Sequence, residues 1–135
     1  MAAAHKLIQL PHHRDARGLL VFGQIGEHLP YPPRRFFTLS EVSKGERRGG
    51  HAHRLQHQFL VMTAGAAAVI VDDGKTRTRV LLDRPDLALH APPMLWLDLE
   101  DFSAGSVCLV LASDIYDEKD YIRDYAEFQQ MTKAG

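Results

Sequence analysis

Residues 44–58 read Lys44-Gly-Glu-Arg-Arg-Gly-Gly-His51-Ala-His53-Arg-Leu-Gln-His-Gln58, and the rest of the chain is best read outward from this run. His51 and His53 stand two apart. In an extended strand alternate side chains share a face, so both imidazoles point one way and Ala52 the other. Arg48 lies near the same face if the backbone stays extended through Gly49 and Gly50. Two imidazoles and a guanidinium aimed at one cavity can move a proton and hold a phosphate. Taken alone, the pair leaves three readings open: a metal site, a proton shuttle, or surface histidines.

Downstream, Gln58 to Met62 predicts an apolar strand, and Ala66 to Val71 a strand of small residues after a turn at Thr63-Ala64-Gly65. Asp73-Gly74 is a strong hairpin signal that folds 67–71 back on Thr76 to Leu82. Leu87 to His90 is brief, Pro92-Pro93 interrupts, and Met94 to Leu99 and Ser106 to Ala112 read as strands. Upstream, Lys6 to Leu10, Leu19 to Phe22 and Arg34 to Leu39 are β-competent. A polar turn covers 11–18, and Pro30, Pro32 and Pro33 enforce an irregular connection. Arg35 alternates with Phe37 and Leu39, so an inward-facing guanidinium there needs an anion. Only 117–131 predicts a helix: Tyr121, Ile122, Tyr125 and Phe128 recur at helical spacing behind an acidic first turn. The expected fold is an all-β antiparallel sandwich or barrel with one C-terminal helix, in a single domain spanning 1–135.

The charge balance of 16 basic against 17 acidic residues leaves a net of -1. That argues against a nucleic-acid or membrane-docking face and makes any anion site local. Cys108 is the only cysteine and cannot close an intrachain disulfide, and Met1 to Lys6 turns polar too soon for a secretory h-region, so a cytoplasmic setting is expected. The longest apolar run, Phe59 to Val71, is broken by Thr63 and Gly65 and is too short to span a bilayer.

Gly45, His51-Ala-His53, Gly65 and Pro93 ahead of an aromatic strand together resemble the two motifs of the cupin double-stranded β-helix, a jelly roll. Asp15-Ala-Arg17-Gly18, Arg48-Gly-Gly-His-Ala-His53, Pro92-Pro-Met-Leu-Trp96, Asp101-Phe-Ser103 and the run from Leu111 to Phe128 resemble the nucleotide-sugar 3,4-ketoisomerases, over most of the chain. The resemblance implies an isomerase that moves the keto group of dTDP-4-keto-6-deoxyglucose from C4 to C3 through an enediol, in deoxyamino-sugar biosynthesis. It also implies a homodimer, and the mixed-polarity N-terminal strand is compatible with exchange between subunits.

Such a reaction needs a base near neutral pKa, which histidine supplies. His53 is expected to act at carbon, with His51 exchanging the proton between the oxygens or fixing its neighbour's tautomer. Arg17 is expected at the developing oxyanion, Arg35 and Arg48 on the pyrophosphate, and Phe37 and Trp96 along the sugar. The chain departs from the metal-binding cupins, which offer two His, a Glu and a later His: His57 stands where the Glu belongs and Leu97 where the last His falls. No cofactor or metal is therefore expected. It also has Phe37 and Thr38 where the ketoisomerases carry a tyrosine. Three competing readings are a nucleotide-sugar 3,5-epimerase, a metal-dependent cupin holding an ion on His51, His53 and His57, and a non-catalytic sugar-binding cupin. His57 is expected to pack or hydrogen-bond, His5, His12, His13, His28 and His90 to lie in loops or on the surface, and Arg77 and Arg79 to be solvated.

Overall fold

The computed structural model describes residues 4–134. Met1 to Ala3, part of the segment judged too polar for an h-region, lie outside the described residues, as does the last residue of the expected domain.

Two five-stranded sheets stack face to face. In chain order the first holds β1 (Lys6–Gln9), β4 (Arg35–Ser40), β6 (Gln58–Ala64), β9 (Leu87–Ala91) and β11 (Val107–Ala112), arranged β1-β9-β6-β11-β4. The second holds β5 (Arg48–His53), β7 (Ala67–Asp72), β8 (Arg77–Leu82), β10 (Trp96–Glu100) and β12 (Tyr121–Ile122), arranged β12-β5-β10-β7-β8. β2 (His12–Asp15) and β3 (Gly18–Val21) form a separate hairpin. The chain crosses between the sheets from β4 to β5, β5 to β6, β6 to β7, β8 to β9, β9 to β10 and β10 to β11, which is the jelly-roll path of a double-stranded β-helix.

Period-two alternation sets what each strand buries. β11 alternates half-buried and buried residues, sending Cys108 and Val110 between the sheets. There they meet Leu60, Met62, Val69, Leu82, Leu89, Leu97 and Leu99 in the main core. The other side of β6, Phe59 and Val61, is covered by Leu10 and Leu29 from the N-terminal segment. A third cluster of Ala52, Trp96, Ile122 and Phe128 lies where helix α1 (Tyr125–Ala134) covers the outer face of the second sheet. The Asp73-Gly74 hairpin forms as expected: the Asp73 carboxylate accepts the backbone N–H groups of Lys75 and Thr76, and Gly74 sits at φ 97°.

Two expectations need correction. The polar segment 11–18 is no simple loop, because His12 to Asp15 pairs with Gly18 to Val21. The helix begins at Tyr125, eight residues later than 117. Glu118–Asp120 makes a single 3-10 turn capped by the Asp117 side chain, and Tyr121 and Ile122 then pair antiparallel with His53 and Ala52. The free edge of β5 satisfies their backbone groups, so tertiary pairing overrides the local helical spacing. Asp124 caps the true helix, its side chain accepting the N–H of Ala126 at 2.8 Å.

Candidate active site

His51 and His53 do share a face of β5, turned inward, while Ala52 faces helix α1. Their ring centroids lie 5.0 Å apart, nearly perpendicular. The backbone before them is not extended: Gly49 and Gly50 sit at φ 91° and 76°, and β10 shifts register between Leu97 and Asp98 opposite them. Only glycine fits at 49, because a Cβ would stand 2.8 Å from the Leu97 carbonyl oxygen. This bulge re-aims the strand so that Arg48 still reaches the same cavity as His51.

That cavity, about 510 Å3, opens between the two sheets. Leu60, Leu97, Leu99 and Val110 contribute apolar wall, and His51, Arg35, Phe37 and Tyr121 line it as well. Arg47, Arg48 and Arg123 bring the guanidinium count to four, and no carboxylate lines it. In a chain of net charge -1 this is a local cationic site. Arg47 is paired with Glu100, and Arg123 with Glu118 at 2.7 Å. Among the described residues Arg35 and Arg48 have no carboxylate partner. A second cleft of about 430 Å3 shares Thr38, Leu39, Arg47 and Arg48 with the cavity and extends it toward Ser40 and Ser43.

The two histidines stand in different surroundings. Burial, and then the neighbouring His53, push the His51 imidazole down to about 4, so it is neutral at pH 7 with lone-pair capacity to accept a proton. Its Nδ1 is buried without a hydrogen-bond partner among the described residues. His53 is only 4% exposed. Its Nδ1 lies 2.9 Å from Asp120 Oδ2 and its Nε2 3.3 Å from Gln56 Nε2. Burial lowers its proton affinity, and Asp120 works against that shift. The Asp120 carboxylate also accepts the backbone N–H groups of Leu55 at 2.7 Å and Gln56 at 3.3 Å, which fixes it behind the ring.

Tyr121 packs against both imidazoles, with centroids 4.3 Å from His53 and 5.0 Å from His51. Its hydroxyl accepts from Arg35 Nη2 at 3.3 Å, and the Arg123 guanidinium lies over its ring at 4.3 Å. Arg35 also donates to Gln56 Oε1 at 3.1 Å and sits 5.4 Å from the ring centroids of Phe37 and Tyr116. Its Nε is buried without a partner among the described residues. Arg123 in turn holds the exposed Glu118 carboxyl down to about 2.

Of the expected site residues, His51, Arg35, Arg48 and Phe37 line one cavity, with His53 directly behind. Two do not join them. Arg17 lies at the exposed tip of the β2–β3 hairpin, bonded to Asp15 at 2.6 Å, and lines a separate shallow cleft. Trp96 is one residue out of phase with inward-facing Leu97, so it faces away from the cavity. It packs under α1 against Tyr125 and Phe128 and donates to Asp98. His57 also turns elsewhere: its Nδ1 lies 2.9 Å from His90 Nε2, the rings stacked within 10° and edged by Tyr31. His51, His53 and His57 therefore do not converge on one point, and His90 is half-buried instead of lying on the surface. Tyr121, which the spacing assigns to a helix face, and Asp120, Gln56 and Arg123 join the site without being expected there. Asp120 could have been found only through the third dimension, since it meets His53 across 67 residues of chain.

Comparison with known proteins adds an independent line. The family described as "FdtA: WxcM-like, C-terminal" matches residues 3–133. The chain is 38% identical over 126 residues to a TDP-4-oxo-6-deoxy-alpha-D-glucose-3,4-oxoisomerase of Aneurinibacillus thermoaerophilus, covering 93% of this chain and 91% of that protein. A variant of the 3,4-ketoisomerase QdtA from Thermoanaerobacterium thermosaccharolyticum, solved with TDP-4-keto-6-deoxyglucose, superposes with TM-score 0.94 at 30% identity, over 99% of this chain and 97% of that one. The WlaRB TDP-quinovose 3,4-ketoisomerase of Campylobacter jejuni gives TM-score 0.88 at 36% identity, over 93% and 97%.

Proposed function

Because the chain belongs to the family described as FdtA: WxcM-like, C-terminal, we infer that it is a sugar-nucleotide 3,4-ketoisomerase acting on a TDP-linked 4-keto-6-deoxyhexose. One observation carries the reading: a neutral imidazole and unpaired guanidinium groups share one cavity, in a chain whose relatives act on TDP sugars. In the reaction a base takes the C3 hydrogen as a proton, and the electron pair left behind forms a C3–C4 double bond. Charge moves to the C4 oxygen. Proton delivery to C4, with transfer of the O3 proton to O4, leaves a ketone at C3 and a hydroxyl at C4. Nothing is oxidised overall, so the chemistry calls for proton carriers and an oxyanion partner.

We assign the histidines the opposite division of labour from that expected, on the support of their burial. His51 lines the cavity and takes the base role at carbon, while His53, enclosed by Asp120 and Gln56, supports it. Arg35 replaces Arg17 at the enediolate, because its Nε–H is unspent and it lies deeper than Arg48. Arg48 and Arg47 then meet the pyrophosphate near the solvent edge, and the adjoining cleft takes the nucleoside. An imidazole at about 4 is a weak base. A bound pyrophosphate opposes the Arg123 and Arg35 charges, which are the smallest causes of that depression after burial and His53.

Incubation with TDP-4-keto-6-deoxyglucose in deuterated water tests the reading: label enters at C4 of the 3-keto product, and at C3 only of 4-keto sugar re-formed by reversal. Label at C5 instead would make the protein an epimerase. We further assign a homodimer, supported by the exposed Leu7, Leu20, Phe22 and Ile25 of the N-terminal segment, and checked by sedimentation. Arg17 lines a cleft apart from its own chain's cavity, so a role for it at a cavity requires such a dimer. No helix among the described residues is long and apolar enough to cross a membrane, and a cytoplasmic site agrees with the free, buried Cys108.

A further inference from the structure

Gln56 is 3% exposed, and its side-chain amide lies between two groups of the site. One end is 3.1 Å from Arg35 Nη2 and the other 3.3 Å from His53 Nε2. A guanidinium has only donors, so the amide atom facing Arg35 must be the oxygen. The atom facing His53 is then the NH2, which can only donate. His53 Nε2 must therefore be the bare, accepting nitrogen, and the ring proton must sit on Nδ1, where Asp120 Oδ2 accepts it at 2.9 Å. Hydrogen-bond parity thus runs without a break through Arg35, Gln56, His53 and Asp120, and each link admits one orientation only.

We propose that Gln56 is a positioning residue for the isomerase, holding His53 as the neutral Nδ1–H tautomer and tying that tautomer to the placement of Arg35. Two consequences follow. The Nε2 lone pair of His53 is already occupied, so His53 is not the base at carbon, and His51 is left with the only uncommitted imidazole lone pair of the pair. An imidazolium at 53 would also turn an N–H toward the Gln56 NH2, two donors face to face, so Gln56 keeps positive charge off the ring beside His51. Through Arg35, the same amide links the group assigned to the enediolate with the ring behind the base. The catalytic consequence rests on the isomerase reading, whereas the His53 tautomer follows from the hydrogen bonds alone.

Nitrogen-15 correlation of the histidine rings tests it in the unaltered protein at pH 7. The His53 ring is expected to carry its proton on Nδ1 with Nε2 bare; a proton on Nε2 overturns the proposal, whatever reaction the protein runs. In Gln56→Ala the donor is gone, so His53 gains Nε2–H character and kcat falls at least about tenfold. TDP affinity by calorimetry should move less than about threefold, since the Arg35 and Arg48 charges remain. A fall in kcat with unchanged His53 ring signals would give Gln56 a merely structural role and sink the idea. A correct tautomer in a protein that leaves the 4-keto sugar untouched would instead remove the isomerase reading and keep the placement.

Discussion

The described residues include two close histidine pairs that share a ring spacing and a buried ring, and they differ in how the rings meet and in what faces them. His51 and His53 stand 5.0 Å apart on the inner face of β5, and His57, just ahead of β6, stands 5.2 Å from His90 on β9. In each pair one ring is pushed down to about 4, chiefly by burial. His57 and His90 spend nitrogens on each other at 2.9 Å, and their neighbours are Tyr31 and the Ser113–Asp114 corner. Among the described residues His51 keeps a buried Nδ1 with no partner, in a cavity with four guanidinium groups. A depressed imidazole therefore records burial, whereas the reactive pair is marked by unspent hydrogen-bonding capacity beside unpaired positive charge.

The sharpest way to break this comparison is to exchange the two pairs as targets. His51→Asn should lower kcat by about 1,000-fold while the fold and its melting profile persist. Steady-state kinetics with the TDP-linked 4-keto sugar reads the loss; a change under tenfold would return the base role to His53. In the native protein the acid limb of kcat/KM should fall well below 6.5, toward the His51 value of about 4. Arg48→Ala should raise KM about tenfold by removing one charge-assisted phosphate contact, with kcat nearly kept. If KM does not move, the guanidinium rim is not what distinguishes the pairs.

Stability should treat the pairs alike. Native His51 and His90 resist protons that the unfolded rings accept from about 6.5 downward, so the unfolded state binds more protons between there and 4. Their contribution is complete above that window and is lost as pH falls through it. Urea titrations at pH 7, 6 and 5 should show the decline, each group adding a slope of at most ~1.4 kcal/mol per pH unit. The smallest effect is expected from His90→Asn, which should leave kcat within about twofold while flattening that acid slope. A large kinetic loss there would give the outer pair a function.

How much of this was legible in the sequence depends on how local each cause is. Period-two alternation carried Arg35, Phe37 and Leu39 inward and put His51 and His53 on one face, because side-chain parity along a strand is a property of neighbours. The Asp73-Gly74 turn and its two strands were equally local. Trp96 was misplaced although the same parity rule, applied from Leu97, turns it outward. Tyr121 and Ile122 form a strand of two residues, too short for any periodicity to register. Arg17 has the right chemistry, but nothing in the order of residues says that its hairpin stands away from the cavity. Gln56 and Asp120 acquire meaning only when loop 54–56 meets the tail.

The two-residue strand β12 has a consequence for how the protein is born. The histidines leave the ribosome more than 60 residues before the segment that carries Asp120 and Tyr121, and that segment seats on β5 only when it emerges. A nascent chain therefore displays both imidazoles long before either has its final surroundings. Competence arrives only once residues 120–122 have emerged, as a single event.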